Sequence, residues 1–512
     1  MNFQFNRFGN PPLDAAYVEH LLNEEFLDRT LAFERLWKYY RNEIHGLDGG
    51  LALPLAGDGW AEVARPYVQD QEFGLPARIT GRSYLGYGAG GLGLPANLRR
   101  GTEPSGAAAR RKEVVVENDI GWRIDTGVHF LFGKAPIIES LAPDPARARE
   151  IEALLAAVFQ ANGGVAFFQE LALLGGVYGF ADVVLRLTEG LTQVDGRWVR
   201  SGDDVAEEVD PLAAVRLEAV EASRAIPILD EEDFRTVRYY VLHYHKLLNQ
   251  VIVADDLPLQ QATCRVTEIL GPDWWQYYED GSLVAEGPNV LGQVPVVHIQ
   301  NLPLPGRYEG AGEVEALIPL QDELNTRLSD RASRVTFQSF KMYLGRGIEN
   351  FENRPVAPGR MWSTDNPDAA IEEFGGDADS PSESAHVSEL REALDKLSGV
   401  TPLTAGLING RMGNLTSGAA LKVTLMGTLA RVERKRVTYG EGLGRLSAMI
   451  LALVDRAGIF ANTAEERRVR IHWPDPLPEN QREQLEQAQM KLNLGIPRAD
   501  VLRELGYATP EE

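Results

Sequence analysis

The chain of 512 residues changes character between VPVVHIQN (Val294–Asn301) and GEVEALIPLQDELNTRLSD (Gly312–Asp330). The first stretch is rich in β-branched residues, which is typical of a strand. The second carries apolar residues at helical spacing and has Pro319 in its first turn, where a missing N–H costs little. The stripe consists of Leu317, Leu324, Leu328 and Val335. We predict a helix of about 22 residues here, about 33 Å long at about 1.5 Å per residue.

The residues before this change, up to about 310, are predicted to form an α+β body. Apolar and aromatic residues recur at helical spacing from Leu13 to Ile44, and another helix should follow Pro145 directly. WRIDTGVHFLFGKAPIIES indicates a helix closed at Gly133, and the stretch from Val165 to Leu185 a buried helix, a glycine turn and a strand. The predicted strands are VVVEN (Val114–Asn118), FADVVLRLTEG, RWVRSG, AVRLEAVEAS, the group Phe234–Leu247, TCRVTEIL, DWWQYYEDG and VPVVHIQN.

The residues after the change alternate between long helices and irregular segments. An acidic segment from Tyr343 to Ser384, with nine carboxylates, should form short strands and loops. A second helix follows, through Val387 and Val400, and stops at Gly399 and Pro402. After a loop over residues 403–418, a third helix of about 42 residues should begin at Thr416 or Ser417 and reach Gly458, with three glycines that favour a kink. The strand RVRIHW and two short helices end the chain.

The composition restricts the classes of function. With 74 acidic and 51 basic residues, the formal net charge is −23. Proteins that grip DNA by its phosphates usually carry a basic excess, so such gripping is not expected. The single cysteine, Cys264, excludes an intramolecular disulfide and is interpreted as a small buried hydrophobe. We expect no secretory signal, because the first residues lack a basic region followed by an apolar one. We expect no membrane span, because polar residues and glycines interrupt the most apolar window.

No motif predicts a catalytic, cofactor-binding or metal-binding residue. The pair Gly133-Lys134 lacks the rest of a phosphate loop, and GYGAGG at residues 86–91 lacks the flanking strand and helix of a dinucleotide site. His243 and His245 share a strand face, as two metal ligands would, but no third ligand can be assigned, and a half-buried strand face is the preferred interpretation. An enzyme whose acidic site is assembled only by folding stays an alternative.

One helix face carries three arginines at positions i, i+4 and i+7. These are Arg327, Arg331 and Arg334. They either pair with Asp330 or Glu323 on a solvated face, or they face carboxylates of a neighbouring subunit or the phosphates of a passing ligand. The sequence leaves both interpretations open.

The order of these elements, with several local strings, resembles the portal proteins of tailed bacteriophages. The strings are WKYYRNEIHG (Trp37–Gly46), VPVVHIQN with GEVEALIPLQDELNTRLSD, SGVTPLTAG (Ser398–Gly406), NLTSGAALKVTLMGTLARVERK (Asn414–Lys435) and LNLGIPRADVLRELGYATPEE (Leu492–Glu512). The resemblance covers nearly the whole chain and depends on the order of the strings. The glycine-rich residues 81–106 have no counterpart in it.

The resemblance implies a portal-like α+β architecture with long helices and an acidic β insert. The implied regions are a wing over residues 1–315, a first stem helix over 316–340, a clip over 341–383, a second stem helix over 384–402, a tunnel loop over 403–417, a long wing helix over 418–458 and a crown over 459–512. The tunnel loop would bring Gly406, Asn409, Gly410, Arg411, Gly413 and Asn414 close to DNA. Docking by the clip would use Glu349, Glu352, Asp365, Glu372 and Glu373.

The resemblance also implies partners. The chain would form a homo-oligomeric ring, commonly of twelve subunits, at one capsid vertex of the virion, and it would be made in the host cytoplasm. Double-stranded DNA would pass through the ring, and the terminase large-subunit ATPase, a head-completion adaptor, and the major capsid and scaffold proteins would bind it. No enzymatic activity, cofactor or membrane is implied.

An acidic wall suits such a conduit, because it repels the duplex from all sides, with screening over about 8 Å at physiological salt. The main alternative is a ring-forming virion or injection-machine component that never touches DNA.

Overall fold

The structure, a computed structural model, describes the greater part of the chain. The described residues are 12–42, 115–188, 191–194, 197–201, 206–208, 210–252, 260–339, 342–346, 370–374, 381–401, 425–476 and 488–496, with Phe3, Phe8, Asp368, Arg498 and Val501. They combine helices and sheets, which confirms the mixed fold class.

The chain divides into two compact units. The first unit contains Met1–Glu34, Ile124–Glu313 and Ile408–Glu512, and the second contains Arg35–Arg123 and Val314–Leu407. The chain therefore passes from one unit to the other four times.

The described residues contain eight α-helices with defined bounds. They are α1 (Ala15–His20), α2 (Phe26–Arg41), α3 (Asp119–Phe132), α4 (Pro145–Ala161), α5 (Val165–Tyr178), α6 (Ile318–Ser339), α7 (Pro381–Ser398) and α8 (Met426–Arg456). A π-helical turn, Leu21–Glu25, joins α1 to α2. Residues 488–493 are also helical and end before Gly495, whose φ of 87° suits a helix stop.

Within the described ranges, the strands form five sheets. Their bounds are β1 (Ile137–Ser140), β2 (Phe180–Leu187), β3 (Leu191–Val194), β4 (Arg197–Ser201), β5 (Ala206–Glu208), β6 (Val215–Val220), β7 (Ala225–Leu229), β8 (Val237–Ile252), β9 (Gln260–Leu270), β10 (Trp274–Glu279), β11 (Ser282–Pro288), β12 (Val296–Gln300), β13 (Met342–Arg346), β14 (Ala370–Phe374) and β15 (Val469–His472). The strand orders are β11-β10-β9-β8-β7, β12-β2-β6, β3-β4-β5, β1-β15 and β13-β14. All the pairings are antiparallel.

The core of the first unit lies on both faces of its five-stranded sheet. One apolar cluster joins the N-terminal helical turns, through Val18 and Leu21, to Val241 and Ile269 of this sheet. A second cluster joins Tyr240 to Val184 and Val220 of the three-stranded sheet. Alternation of inward and outward side chains along each strand makes both contacts possible.

The stretch from Val165 to Leu185 folds as the sequence predicted. The buried helix α5 ends at Gly179, which has a φ of 94°, and β2 follows at once. A Cβ at this glycine would lie 2.2 Å from the Gly310 carbonyl oxygen, so only glycine fits. The tight turn places β2 directly against the helix that precedes it.

The carboxylate of Asp182 is buried in the middle of the three-stranded sheet. It accepts hydrogen bonds from the hydroxyls of Tyr240 at 2.8 Å and Tyr308 at 3.0 Å, and His298 Nδ1 lies 2.6 Å from it. Burial, with the charge of Asp182, raises the pKa of both tyrosines well above the ordinary value. Both hydroxyls therefore stay protonated and donate to the carboxylate.

The long helix α8 begins later than predicted. Residues 402–424 lie outside the described residues, and Leu425 is already the residue before the first helical turn, so α8 starts at Met426 and has 31 residues. The helix is continuous through Gly440, Gly442 and Gly444. It ends at Arg456, close to the predicted stop at Gly458.

By length and hydropathy alone, α8 qualifies as a membrane-spanning helix, and α4 with α5 would qualify as a bent pair. Buried residues on α8, such as Tyr439, Leu446 and Ile450, instead belong to the core of the first unit. A core helix of a folded protein passes the same composition test, so this result does not indicate a membrane.

Several sequence predictions are corrected by the fold. The described part of VVVEN, residues 115–118, is extended but belongs to no strand. The helix predicted to close at Gly133 is confirmed, since α3 ends at Phe132, but the residues that follow it form the unpredicted strand β1, which pairs with β15. Strands β3, β5, β7 and β11 were not predicted, because each is short or lies beside a stronger signal.

A close approach between α8 and β12 generates a test of packing. A Cβ on Gly442 would lie 2.5 Å from Ile299 Cγ1, whereas one on Gly444 would meet nothing within 4 Å. We expect Gly442→Ala to lower the free energy of unfolding by about 1–3 kcal/mol through overpacking. Gly444→Ala should be neutral or stabilising by about 0.5–1 kcal/mol, since alanine favours the helix. Chemical unfolding of both variants measures their free energies of unfolding. Equal changes in the two variants would contradict the predicted close packing at Gly442.

Candidate functional site

The helix α6 of the second unit buries a polar face, which the apolar stripe of the sequence did not predict. Among the side chains that the structure describes on α6, the most buried are polar, apart from Ile318 and Leu324. They are Gln321, Asp322, Asn325, Thr326 and Ser329, each at most 2% exposed. Polar groups without water cost free energy unless they form hydrogen bonds, so their partners explain the face.

The partners are backbone groups of the extended residues 115–118. The backbone N–H of Val115 donates to Ser329 Oγ at 2.9 Å, and that of Glu117 donates to Asn325 Oδ1 at 3.0 Å. Gln321 Nε2 donates to the Glu117 carbonyl at 2.7 Å. Side chains at positions i, i+4 and i+8 of the helix thus form the hydrogen bonds that a neighbouring strand would otherwise form with this backbone. Residues 115–118 therefore resemble a strand in sequence but pair with none.

A further buried contact holds the end of α2 on the same helix. The hydroxyl of Tyr39 donates to both carboxylate oxygens of Asp322 at 3.0 Å. Tyr39 belongs to the double tyrosine of WKYYRNEIHG, so this part of the motif has a structural role inside the second unit.

The three arginines predicted as a functional face lie on α6. Arg327 is bonded to Glu323 at 2.7 Å and lies 3.5 Å from Asp330, which are the partners that the sequence named for a solvated face. Arg331 is exposed. The same Glu323 also lies 3.4 Å from His386 Nε2 of α7, the helix that packs beside α6. Arg327 is therefore paired on a partly exposed face and Arg331 is exposed, while the side chain of Arg334 lies outside the described residues.

The C-terminal end of α7 is fixed by a buried arginine. Arg123, 3% exposed, donates through Nη1 to Ser398 Oγ at 3.1 Å and to the Val400 carbonyl. Its Nη2 lies 2.7 Å from Asp395 and 3.7 Å from Asp119. Burial raises the pKa of Asp395, although Arg123 acts in the opposite direction. No pattern in the sequence distinguishes this arginine from the others.

The acidic insert contains short strands, as predicted, and β13 and β14 pair antiparallel to form a hairpin, called the acidic hairpin. Its register places Leu344 opposite Glu372 and Tyr343 opposite Glu373. Both glutamates therefore lie in the middle of β14. The other three residues predicted for clip docking, Glu349, Glu352 and Asp365, lie outside the described residues.

A buried ionic group holds the first turns of α8 in the first unit. Glu313 lies 2.6 Å from Arg431 Nε and 2.6 Å from Lys435 Nζ. Burial raises the pKa of the Glu313 carboxyl, but the two cations outweigh burial and the pKa is lowered overall. The group carries one negative and two positive charges, all held within a few ångströms.

The predicted tunnel loop, residues 403–417, lies outside the described residues, together with Gly406, Asn409, Gly410, Arg411, Gly413 and Asn414. The glycine-rich segment with GYGAGG does so as well. Their predictions therefore stay predictions.

The two histidines considered as metal ligands have different surroundings. His243 is buried, its Nδ1 lies 2.8 Å from Thr267 Oγ1, and its ring meets Phe26 edge-on. His245 is exposed. In the part of the chain that the structure describes, no three His, Cys, Asp or Glu side chains are grouped as metal ligands. Cys264 is buried, as expected for a small hydrophobe.

The surroundings of His243 generate a pH prediction. Burial, with the nearby Arg265 and His245, lowers its pKa to about 4, below the ordinary value of about 6.5. The folded protein therefore binds this proton less readily than the unfolded chain, and stability falls as the pH drops from about 6.5 toward 4. When the pH falls from 7 to 5, the free energy of unfolding of the native chain should decrease by about 1–2 kcal/mol more than that of the His243→Gln variant.

Urea unfolding at the two pH values measures the difference, with His245→Gln on the exposed face as the control. If the free energy of unfolding of His243→Gln decreased by as much as that of the native chain, the prediction would be contradicted.

Comparisons with known proteins extend this description. Among curated proteins, none matches the sequence. Chains from "Virion of native gene transfer agent (GTA) particle" and "Neck of empty GTA particle computed with C6 symmetry" are similar in structure, with 13% and 14% identity and TM-scores of 0.38 and 0.40. The alignments cover 76% and 77% of this chain and 90% and 91% of those chains. Such low scores transfer no function.

The family comparison is decisive. The model of the family "Phage portal protein, SPP1 Gp6-like" matches residues 205–506, which is more than half of the chain. The match contains β5–β15 and α6–α8, and so includes the polar face of α6, the acidic hairpin and the ionic group of α8. The chain therefore belongs to the SPP1 Gp6-like family of phage portal proteins, whose role in the particle is structural.

Proposed function

We propose that the chain assembles into a homo-oligomeric ring at one vertex of a virion and forms the channel through which double-stranded DNA is packaged and ejected. The observation that carries the proposal is the family match over residues 205–506. Twelve subunits are proposed. The ring itself has no enzymatic role, and the energy for packaging comes from a separate ATPase, in agreement with the lack of a phosphate-loop motif in the sequence.

The proposed regions assign the helices and strands to parts of the ring. The wing comprises residues 1–315 and 418–458, and α6 and α7 are the stem helices of residues 316–340 and 384–402. The hairpin of β13 and β14 belongs to the clip, residues 341–383. The crown, residues 459–512, includes β15, whose pairing with β1 connects it to the wing.

The electrostatics favour a conduit over a DNA-gripping protein. Each subunit carries a net charge of −23, so a ring of such subunits repels the duplex from every side and leaves it centred. Fixed phosphate contacts would instead add a binding free energy that each step of DNA movement has to break. On α6, Arg327 is already paired within its helix, which leaves fewer cations free to hold phosphates.

The ring is tested by measuring the mass of the purified chain of 56.5 kDa. We expect native mass spectrometry to show a single assembly of about twelve copies, and negative-stain images to show a channel wider than the roughly 20 Å of duplex DNA. A monomer or dimer would refute the ring. A ring with a much narrower channel would favour a virion component that never contacts DNA.

The tunnel loop is tested by restricting its glycines. Proline fixes φ near −65° and removes the N–H, so Gly410→Pro combined with Gly413→Pro should stop the loop from adapting to passing DNA. We expect rings of normal mass and a large loss of packaged DNA in a packaging assay. The alanine pair at the same positions is the control and should package more DNA than the proline pair. Normal packaging by the proline pair would contradict the proposed loop.

The clip is tested by reversing charge on β14. We propose that the carboxylates of residues 349–373 dock the terminase large-subunit ATPase and later the head-completion adaptor. Glu372→Lys combined with Glu373→Lys should weaken ATPase binding to the ring about tenfold or more at low salt. The effect should be smaller at high salt, because salt screens both the attraction of the native glutamates and the repulsion of the new lysines. Glu433→Lys, on an exposed part of α8, is the matched control. Unchanged affinity of the hairpin variant would exclude these glutamates from docking.

A further inference from the structure

We propose that a second copy of this chain docks on the outer face of the ribbon formed by β1 and β15, and that it does so with the acidic end of its own first unit. The inference rests on the proposed function, because it names the two surfaces that join neighbouring copies of the ring. Both surfaces consist of described residues of the first unit.

The outer face of the ribbon carries basic side chains at alternate positions. Arg470 and His472 share this face of β15, because successive side chains of a strand point to opposite sides. Their side chains are 61% and 50% exposed. Arg468 lies directly before the strand and is exposed as well, and its carbonyl accepts a hydrogen bond from the Leu141 N–H at 2.9 Å. The pairing with β1 thus continues to Arg468, and the three basic side chains form one row.

The acidic contact of this row is Glu139 of β1, which is directly opposite Arg470 in the ladder. Its carboxylate lies 2.6 Å from His472 Nε2 and 3.5 Å from Arg470 Nη1. The hydrogen bond with His472 lowers the pKa of Glu139. Arg468 has no carboxylate partner in the part of the chain that the structure describes, and Ile137 adds an apolar side chain that is 64% exposed. The outer face is therefore cationic on a chain of net charge −23, and it suits an acidic protein surface.

The acidic end of the first unit lies around Tyr17. It combines exposed carboxylates of the N-terminal helical turns with those of the turn between β7 and β8, namely Glu24, Glu25, Asp28, Glu231, Glu232 and Asp233. Burial raises the pKa of Tyr17, and the charges of Glu25 and Glu231 raise it further, so the two groups of carboxylates are neighbours. The exposed Arg235 lies beside Asp233 and offsets one charge. A clear negative excess remains.

The helix α8 separates the ribbon from the sheets of the first unit. A Cβ on Gly440 would lie 3.5 Å from Nε1 of Trp473, the residue after β15. A Cβ on Gly442 would lie 2.5 Å from Ile299 Cγ1 of β12. Residues two apart in an α-helix point about 200° apart. The ribbon and the three-stranded sheet therefore lie on opposite sides of α8.

The other layers of the first unit follow beyond the three-stranded sheet. This sheet packs through Val184 on Tyr240 of the five-stranded sheet. The N-terminal helical turns cover the other face of the five-stranded sheet through Val18. The order is thus the ribbon, α8, the three-stranded sheet, the five-stranded sheet and the N-terminal turns. The cationic and the acidic surfaces lie at opposite ends of the first unit.

This arrangement has the geometry that a ring requires. In a ring, each copy meets its two neighbours with two different surfaces. Neighbours in a ring of about twelve copies are related by a rotation of about 30°, so the two surfaces lie on nearly opposite sides of each copy. A closed dimer would instead bring the same surface of both copies together and place Arg470 against like charges. Opposite charges at opposite ends therefore favour head-to-tail association.

The experiment reverses the charge of each surface and then mixes the variants. Arg468→Glu combined with Arg470→Glu makes the ribbon acidic, and Glu25→Lys combined with Glu231→Lys and Glu232→Lys removes the negative excess of the other end. We expect each variant alone to form about tenfold less ring than the native chain in native mass spectrometry at low salt, because its contacts lose their attraction. An equal mixture should restore rings, since each changed surface finds its complement on the other variant.

Two controls separate the docking surfaces from general effects of charge. Arg216→Glu combined with Arg434→Glu makes the same change of net charge at exposed positions outside both surfaces, and it should form rings as the native chain does. Arg468→Gln combined with Arg470→Gln removes the cations without adding carboxylates and should give an intermediate amount of ring. The outcome thus does not depend on the folding of one variant. High salt should reduce the difference between the reversed variants and the native chain.

The possible results keep this inference apart from the proposed function. Native amounts of ring from both reversed variants, or a mixture that restores no ring, would overturn the inference while the proposed ring stands. Open, salt-sensitive chains of native protein that the reversals abolish would refute the ring and support the docking surfaces. A native protein that stays monomeric at low salt would overturn both.

Discussion

A charge removed from water must be surrounded by partners, and three buried charged groups of this protein show how this constraint organises the fold. The Asp182 carboxylate, in the middle of a sheet, forms hydrogen bonds with two tyrosine hydroxyls and a histidine ring. Glu313 holds two cations of α8. Arg123 holds the end of α7. Each connects elements far apart in sequence. The loss of one partner would leave a charge that neither water nor protein compensates, so each site fixes its elements in one arrangement.

The same constraint explains why much of the fold could be predicted from the sequence and why the rest could not. Periodicity predicted α5, the Gly179 turn and β2, because apolar burial and a positive φ leave local signals. It did not predict the polar face of α6, because Asn325 and Ser329 look like surface residues until residues 115–118 lie beside them. The prediction of a strand over these residues was wrong for the same reason, because helix side chains rather than a neighbouring strand form the hydrogen bonds of their backbone.

The candidate site was predictable in outline only. The acidic hairpin and the helix pair could be recognised, and the partners of Arg327 were among the alternatives. Arg123 and Glu313 could not be recognised, because a buried arginine has no sequence pattern and because Glu313 is, in the sequence, one acidic residue among many. The late start of α8 at Met426 also lacked a signal, since the apolar stripe of the sequence continues upstream of it.

Family membership and the net charge of −23 support the proposal that an acidic ring guides DNA, in which the tunnel loop of residues 403–417 is proposed to meet the duplex. The most direct test is a photoreactive amino acid at Asn409, with irradiation of particles arrested while DNA is being packaged. The account predicts covalent adducts between this residue and DNA in rings of native mass, and far fewer from the same probe at Glu433 on α8. Rings that assemble and package DNA but give no adduct at Asn409 would contradict it.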